Sequence, residues 1–194
     1  DEVIGTNEPK SVKGIKIKTV ASDPPAAVGE GQMWYNSAAT DYKTSVIVES
    51  WTAGGNINTN RSSMGGTKQG TENAALVFGG HTNPAMMTQT ESYDGTSWTE
   101  VNNMNTARED SAGAGISTAG LAFGGATPTI TAITEDWNGV SWAEVADLAT
   151  ARKELAGAGT STNALAFGGE APPQTAATEE WNSVSNTTKT VSTD

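Results

Sequence analysis

Short runs of apolar and small residues recur along this chain, interrupted at close intervals by glycine, asparagine, aspartate and proline. This is the pattern of many short strands joined by turns. Residues 1–11 lack periodicity and predict an extended arm. Ile15-Lys16-Ile17-Lys18 alternates strictly between apolar and polar, which predicts a strand with one wet face. Ser22-Asp23-Pro24-Pro25 ends it, because proline has no N–H to donate and restricts the residue before it. The run from Gln32 to Asn36 predicts a bulky strand, Ser37 to Asp41 a turn, and Ser45 to Trp51 another strand.

From there the pattern repeats. Phe78-Gly79-Gly80, Phe123-Gly124-Gly125 and Phe167-Gly168-Gly169 each close a short apolar run. Glu91, Glu135 and Glu179 follow at intervals of 44 residues. Trp51, Trp98 and Trp142 each stand ten residues before Arg61, Arg108 and Arg152. Self-similarity at such a period is the mark of a repeat architecture. The middle repeat predicts four antiparallel strands: Ser111 to Ile116, Gly120 to Phe123, Ala132 to Trp137 and Ser141 to Val145. Asn138-Gly139 predicts a two-residue hairpin turn with positive φ at both positions, and Asp94-Gly95 its counterpart. The third repeat has Asn186 where a tryptophan is expected, as an atypical terminal repeat would. The predicted organisation is an arm with its following strands over 1–44, and a body over 45–194 with repeats at about 61–104, 105–148 and 149–194.

Composition supports an all-β chain: 22 glycines in 194 residues and only 17% charged residues. A net charge of −11 argues against nucleic acid as a partner, since phosphates need lysine and arginine to neutralise them. No hydrophobic run is long enough to span a bilayer, so membrane insertion is not expected. The first twenty residues carry four lysines against three carboxylates, a locally basic end that reads as a solvated strand face or as a dock for an acidic partner or neighbouring copy. Cysteine is absent, which removes disulfides, thiolate metal sites and cysteine nucleophiles.

Candidate chemistry is sparse. The single histidine, His81, has Ala126 and Glu170 at its repeat-equivalent positions, so the architecture does not call for it. Acidic neighbours occur at Glu109-Asp110, Glu135-Asp136 and Glu179-Glu180, but adjacent strand residues point to opposite faces and do not make a glycosidase pair. No calcium loop or phosphate loop is present, so no catalytic residue, metal or cofactor is expected. Arg61, Arg108 and Arg152 are the only arginines, and all share one repeat position, as do Glu91, Glu135 and Glu179. A ring of binding sites would use them so. A structural device repeated in every unit accounts for them better, with each arginine pairing with a glutamate or tying carbonyls between sheets. The repeat-position tryptophans Trp98, Trp142, Trp137 and Trp181 are expected between sheets, with Trp51 at the equivalent of Trp98 and Trp142. Recognition would fall to the loops that differ between repeats, His81 to Met87, Ala126 to Thr131 and Glu170 to Thr175, with His81, Asn83, Thr127, Thr129, Glu170 and Gln174 as candidate contacts.

The Phe-Gly-Gly triplets, the aromatic pairs Tyr93/Trp98 and Trp137/Trp142, and the arginine after Met104 or Leu148 resemble the kelch motif of β-propellers, over roughly residues 46–194. The aromatic spacing is closer than in most kelch blades, so the repeats are kelch-like. Nearly the whole chain also resembles a type of virion protein common in marine bacteriophage genomes. The matching elements are the arm, the strand Gly31-Gln32-Met33-Trp34-Tyr35-Asn36, and the repeat Asn105-Thr106-Ala107-Arg108 to Ala122-Phe123-Gly124-Gly125. These resemblances imply a partial propeller or a three-sheet prism-like body behind an extended N-terminal arm. They imply a non-enzymatic structural component of a phage particle, a tail-fibre or spike subunit on the virion surface. In that reading the arm binds other virion proteins and the loops face a host-surface glycan. The alternative is a capsid or other virion-surface decoration protein without receptor binding. Propellers close with at least four sheets, and three open ones leave hazards at their margins, so a homo-oligomer is expected, a trimer above others.

Overall fold

The computed structural model describes residues 10–12, 15–21, 33–44 and 50–183. Residues 1–9 of the predicted arm, the Pro24-Pro25 break, the strand interior at 45–49 and the region of Asn186 lie outside the described residues, while Lys10 and Ser11, expected in the arm, are in a strand. All regular structure within them is β, and no sheet closes on itself among them. The chain divides into two compact units, Asp1–Ala53 and Gly54–Asp194.

In the first unit β1 (Lys10–Val12), β2 (Ile15–Val20), β3 (Met33–Asn36) and β4 (Asp41–Thr44) form one sheet in that order. The alternating run Ile15–Lys18 lies in β2, as its periodicity predicts. β2 and β3 are parallel, with Lys18 opposite Trp34 and Val20 opposite Asn36. The Asn36 side chain closes the turn between β3 and β4, its Oδ1 accepting from the Ala38 and Ala39 N–H groups at 3.0 Å each. Trp51 is fully exposed and outside any strand, which corrects the expectation that it ends a strand at the repeat position of Trp98 and Trp142.

The second unit holds three sheets of one design. The first contains β5 (Gly65–Gly66), β6 (Ala75–Phe78), β9 (Thr90–Tyr93) and β10 (Trp98–Val101), with the small hairpin β7 (His81–Thr82) and β8 (Ala85–Met86) between β6 and β9. The second is the antiparallel meander β11 (Ala112–Ile116), β12 (Ala119–Phe123), β13 (Thr134–Trp137) and β14 (Trp142–Glu144). The third comprises β15 (Ala156–Gly159), β16 (Asn163–Phe167) and β17 (Thr178–Asn182). The repeat register therefore holds: Phe78, Phe123 and Phe167 all end the second strand and face the threonines Thr90, Thr134 and Thr178 across the ladder.

The sheets pack face on face, in series. Glycine makes this possible at the first strands, where backbones meet. A Cβ on Gly113 would lie 2.6 Å from the Gly66 carbonyl oxygen, and one on Gly157 2.5 Å from that of Gly113. Phe78 reaches across to Trp142 with ring centroids 5.1 Å apart, nearly edge-on. Trp142 completes the contact by donating its Nε1–H to Thr90 Oγ1 at 3.0 Å. Leu76, Phe78, Met104, Ala122 and Trp137 fill this first junction, and Leu121, Phe123, Leu155, Ala164 and Ala166 the second. The middle sheet is thus buried on both faces, while β15 is open on alternate residues.

Two sequence expectations change in detail. The Asn138 turn is not a two-residue type I′ hairpin: Trp137 pairs with Trp142, leaving four residues, and only Gly139 of the Asn-Gly pair has positive φ, at 92°. The side chain does what a left-handed asparagine would otherwise do, Asn138 Oδ1 accepting from the Val140 and Ser141 N–H groups at 2.9 Å each. Asp94 Oδ1 accepts in the same way from Thr96 and Ser97 at 2.8 Å.

Candidate functional site: arginine–glutamate knots and corner loops

The segment preceding each first strand folds back onto its own sheet, and there the repeated arginine meets the repeated glutamate. Arg61 Nη2 lies 2.7 Å from Glu91 Oε1, Arg108 Nη2 3.3 Å from Glu135 Oε1, and Arg152 Nη2 2.8 Å from Glu179 Oε1. All three guanidinium side chains are withdrawn from solvent. Burial pulls the Arg108 guanidinium below its ordinary value, with the nearby Glu135 carboxylate opposing that shift.

The glutamates are held by more than the cation. Glu135 Oε2 accepts from the Asn105 N–H at 2.7 Å and from its Nδ2 at 2.9 Å, while Oε1 accepts from the Thr106 N–H at 3.3 Å. Glu91 receives the same pair from Asn58 at 2.7 and 2.9 Å. In the third repeat alanine stands at this place, so Glu179 keeps only the N–H donors of Ala149 and Thr150, and its side chain is 23% exposed. Asn58 and Asn105 are structural residues that the sequence reading passed over. The signal was there, an asparagine three residues before the arginine in two of three repeats.

The knots of Arg108 and Arg152 also tie neighbouring sheets, because the arginine's main chain hydrogen-bonds to the sheet before. The Arg108 N–H donates to Met87 O at 3.3 Å and its carbonyl accepts from Gly80 N–H at 2.9 Å, while its side chain reaches Glu135 in the next sheet. Arg152 repeats this with Thr131 O and Gly125 N–H at 3.3 and 2.9 Å. The double glycines serve this contact. Gly79 and Gly80 have φ of 63° and 92°, and a Cβ on Gly79 would fall 2.5 Å from Arg108 O. Two residues after each arginine the chain is left-handed without glycine, at Ser63, Asp110 and Glu154, with φ of 52–54°. These too connect in series, Asp110 N–H donating to Ser63 O and Glu154 N–H to Asp110 O.

The candidate recognition loops occupy one equivalent corner of the three sheets. Each starts at the residue bridged to the one after the arginine: Ser62 with His81, Glu109 with Ala126, Lys153 with Glu170. Each then closes on itself, through β7–β8 in the first repeat, Ala126 with Ile130 in the second and Glu170 with Gln174 in the third. Asn83, Thr129 and Gln174 are exposed, whereas Thr127, His81 and Glu170 are half-buried. His81 does not face solvent alone: its Nδ1 lies 2.5 Å from Glu109 Oε2 of the following repeat. Glu170 sits 3.6 Å from the Lys153 ammonium, and this carboxylate is the main reason that the lysine is held above its ordinary value.

The tryptophans separate by place. Trp137 and Trp142 are buried in the first junction, Trp98 and Trp181 are half-buried, and the indole N–H groups of Trp98, Trp137 and Trp181 go to the backbone carbonyls of Gly55, Ser117 and Ser161. Beside Trp181 a cleft of about 390 Å³ is lined by Asp136, Val145, Thr162 and Asn182. Among the described residues no group of three or more acidic or histidine side chains is arranged to hold a metal ion. No protein-family model matches the chain, and no curated protein matches it.

Proposed function

We propose that this chain is a structural component of a bacteriophage virion, a tail-fibre or spike subunit on the particle surface. Its N-terminal arm would bind other virion proteins, and its kelch-like repeats would assemble as a homo-oligomer and present loops to a host-surface glycan. The work is adhesive and mechanical, without catalysis. One observation carries the reading: three loops of unlike sequence, built on the same bridged frame at the same corner of each sheet, stand on a body whose arginines and facing glutamates hold one another. A scaffold that repeats its internal charge pairs and varies in sequence at its corner loops has the form of a presenting surface. Thr127, Thr129, Asn83 and Gln174 supply the hydroxyl and amide groups that hydrogen-bond sugars.

The test is to replace residues 127–129 and 171–174 with glycine and serine, verify an unchanged melting temperature, and measure binding of labelled protein to marine bacterial cells and an array of bacterial surface glycans. Loss of binding in the loop variants is expected. Binding that survives the replacements overturns the receptor role and favours attachment to a particle surface through the arm alone.

A further inference from the structure

The two junctions between sheets are made alike, so the faces left at either end of the series can be compared with the faces buried inside it. The outward face of the third sheet carries Ala156, Ala158, Leu165, Phe167 and Thr178. Its equivalents in the second sheet, Ala112, Ala114, Leu121, Phe123 and Thr134, are buried by the third. Phe167 is 38% exposed, against 0% for Phe78 and 2% for Phe123. Gly168 shows the same vacancy. Gly79 and Gly124 are each covered by the next repeat's arginine carbonyl at 2.5 Å from a built Cβ, with Met104 and Leu148 alongside, while Gly168 meets only Thr175 O, at 3.9 Å. At the other end the first sheet presents Ala75, Val77, Tyr93 and Trp98, all half-exposed, on the face that the second sheet uses to receive the first.

The backbone groups left over at these two ends match. Inside the series the two junctions share four backbone hydrogen bonds, in the second Gly125 N–H to Arg152 O, Arg152 N–H to Thr131 O, Leu148 N–H to Ala132 O and Glu154 N–H to Asp110 O. On the third sheet the corresponding Gly169 N–H and the carbonyls of Thr175, Ala176 and Glu154 have no such partner among the described residues. On the first sheet the corresponding Arg61 carbonyl and the N–H groups of Arg61, Ile57 and Ser63 have none either. Each donor at one end answers an acceptor at the other, and Ile57 is the apolar residue that would seat on Gly168 as Met104 seats on Gly79.

We propose that a second copy of this chain docks head to tail, its first sheet on the third sheet of its neighbour, and that two copies close a ring of six sheets. A closed ring of sheets holds roughly four to eight. Two copies fall within that range and three, with nine sheets, do not, so the count is two rather than the three expected from the sequence. The dimer specifies the homo-oligomer of the proposed function; a monomer would remove that assembly but leave the loop and cell-binding test unchanged.

Sedimentation of the full chain at micromolar concentrations tests it, with Phe167→Glu and Val77→Glu as variants on the two opposite faces and a thermal melt confirming that each folds. The wild type should sediment at twice the chain mass, and each variant at the chain mass. An equimolar mixture of the two variants should regain dimer, because the intact third sheet of one can still dock on the intact first sheet of the other. A monomeric wild type overturns the proposal, as does a mass that grows open-endedly with concentration. A dimer broken by Phe167→Glu but untouched by Val77→Glu overturns the head-to-tail geometry.

Discussion

Replacing Arg108 with methionine tests the buried knot most directly. Methionine keeps most of the aliphatic volume but removes the charge from a side chain that is wholly buried and faces an equally buried Glu135. Breaking such a pair by deleting one partner costs about 3–5 kcal/mol, because the other charge is left uncompensated. Glu135 retains the Asn105 N–H, the Asn105 amide and the Thr106 N–H, which places the cost near the lower bound. At roughly 3 °C per kcal/mol for a body of this size, Arg108→Met should lower the melting temperature by about 10 °C. Arg152→Met should cost less, about 1–2 kcal/mol, because water reaches the partly exposed Glu179 carboxylate. Adding Glu135→Gln to Arg108→Met removes the stranded charge while leaving an acceptor for Asn105, and should restore about 1–2 kcal/mol. Differential scanning calorimetry on the four proteins decides it. An unchanged melting temperature for Arg108→Met, or equal losses for Arg108→Met and Arg152→Met, would refute the structural role.

Gly113→Ala forces a Cβ to within 2.6 Å of the Gly66 carbonyl, and should cost about 3 kcal/mol in urea unfolding, while Gly54→Ala, which meets only Tyr93 Oη at 3.5 Å, should cost almost nothing. Trp142→Phe keeps the contact with Phe78 but leaves fully buried Thr90 without the indole donor, a loss of about 1–2 kcal/mol that should appear as a lower urea midpoint at unchanged slope. Asp136 has its pKa raised by desolvation, so its charged form is disfavoured in the folded chain and stability falls as pH rises through its titration. Asp136→Asn should therefore raise the urea midpoint at pH 7, with the gain vanishing in acid below the ordinary aspartate pKa of about 3.9. In the monomeric Phe167→Glu variant, hydrogen exchange should be slowest at the amides of β11 and β12 and faster in β15 and β16, because in the single chain only the middle sheet is covered on both faces.

Much of the body was readable because its period is carried by residues that cannot be exchanged cheaply. An arginine, a glutamate and a double glycine returning together mark one mechanical unit, and the four-strand order within it follows from the apolar runs and turn residues between them. What failed to show in sequence was tertiary. Trp51 stands ten residues before Arg61 as Trp98 does before Arg108, yet spacing carries no information about whether a sheet is present for the indole to cover. Asn138-Gly139 has the composition of a two-residue turn, but the asparagine side chain competes for the N–H groups that a type I′ backbone would have satisfied. The left-handed Ser63, Asp110 and Glu154 are chemically unlike, so nothing in their side chains announces a shared backbone shape; only the inter-sheet hydrogen bonds explain it.

The departures among repeats follow the same logic as their likenesses. The middle unit, with a sheet on either side, combines Asn105 on Glu135, Trp142 on Thr90, and alternating alanine and glycine over the first four residues of β11 where backbones press together. The third unit loses the asparagine at Ala149, and its Glu179 is the most exposed of the three glutamates; Arg152 donates Nη1 to Ala177 O at 2.7 Å, as Arg61 does to Gln89 O at 3.0 Å, a bond that Arg108 does not make. The first repeat keeps the full knot at Asn58, Arg61 and Glu91, and puts a glycine pair at β5 although it is the first sheet of the three-sheet series. A glycine lacking a neighbour costs backbone entropy for nothing. Gly66 at the free end of the series is intelligible if something packs there as closely as Gly113 packs on Gly66, and the face with the matching carbonyl is that of Gly157's own sheet.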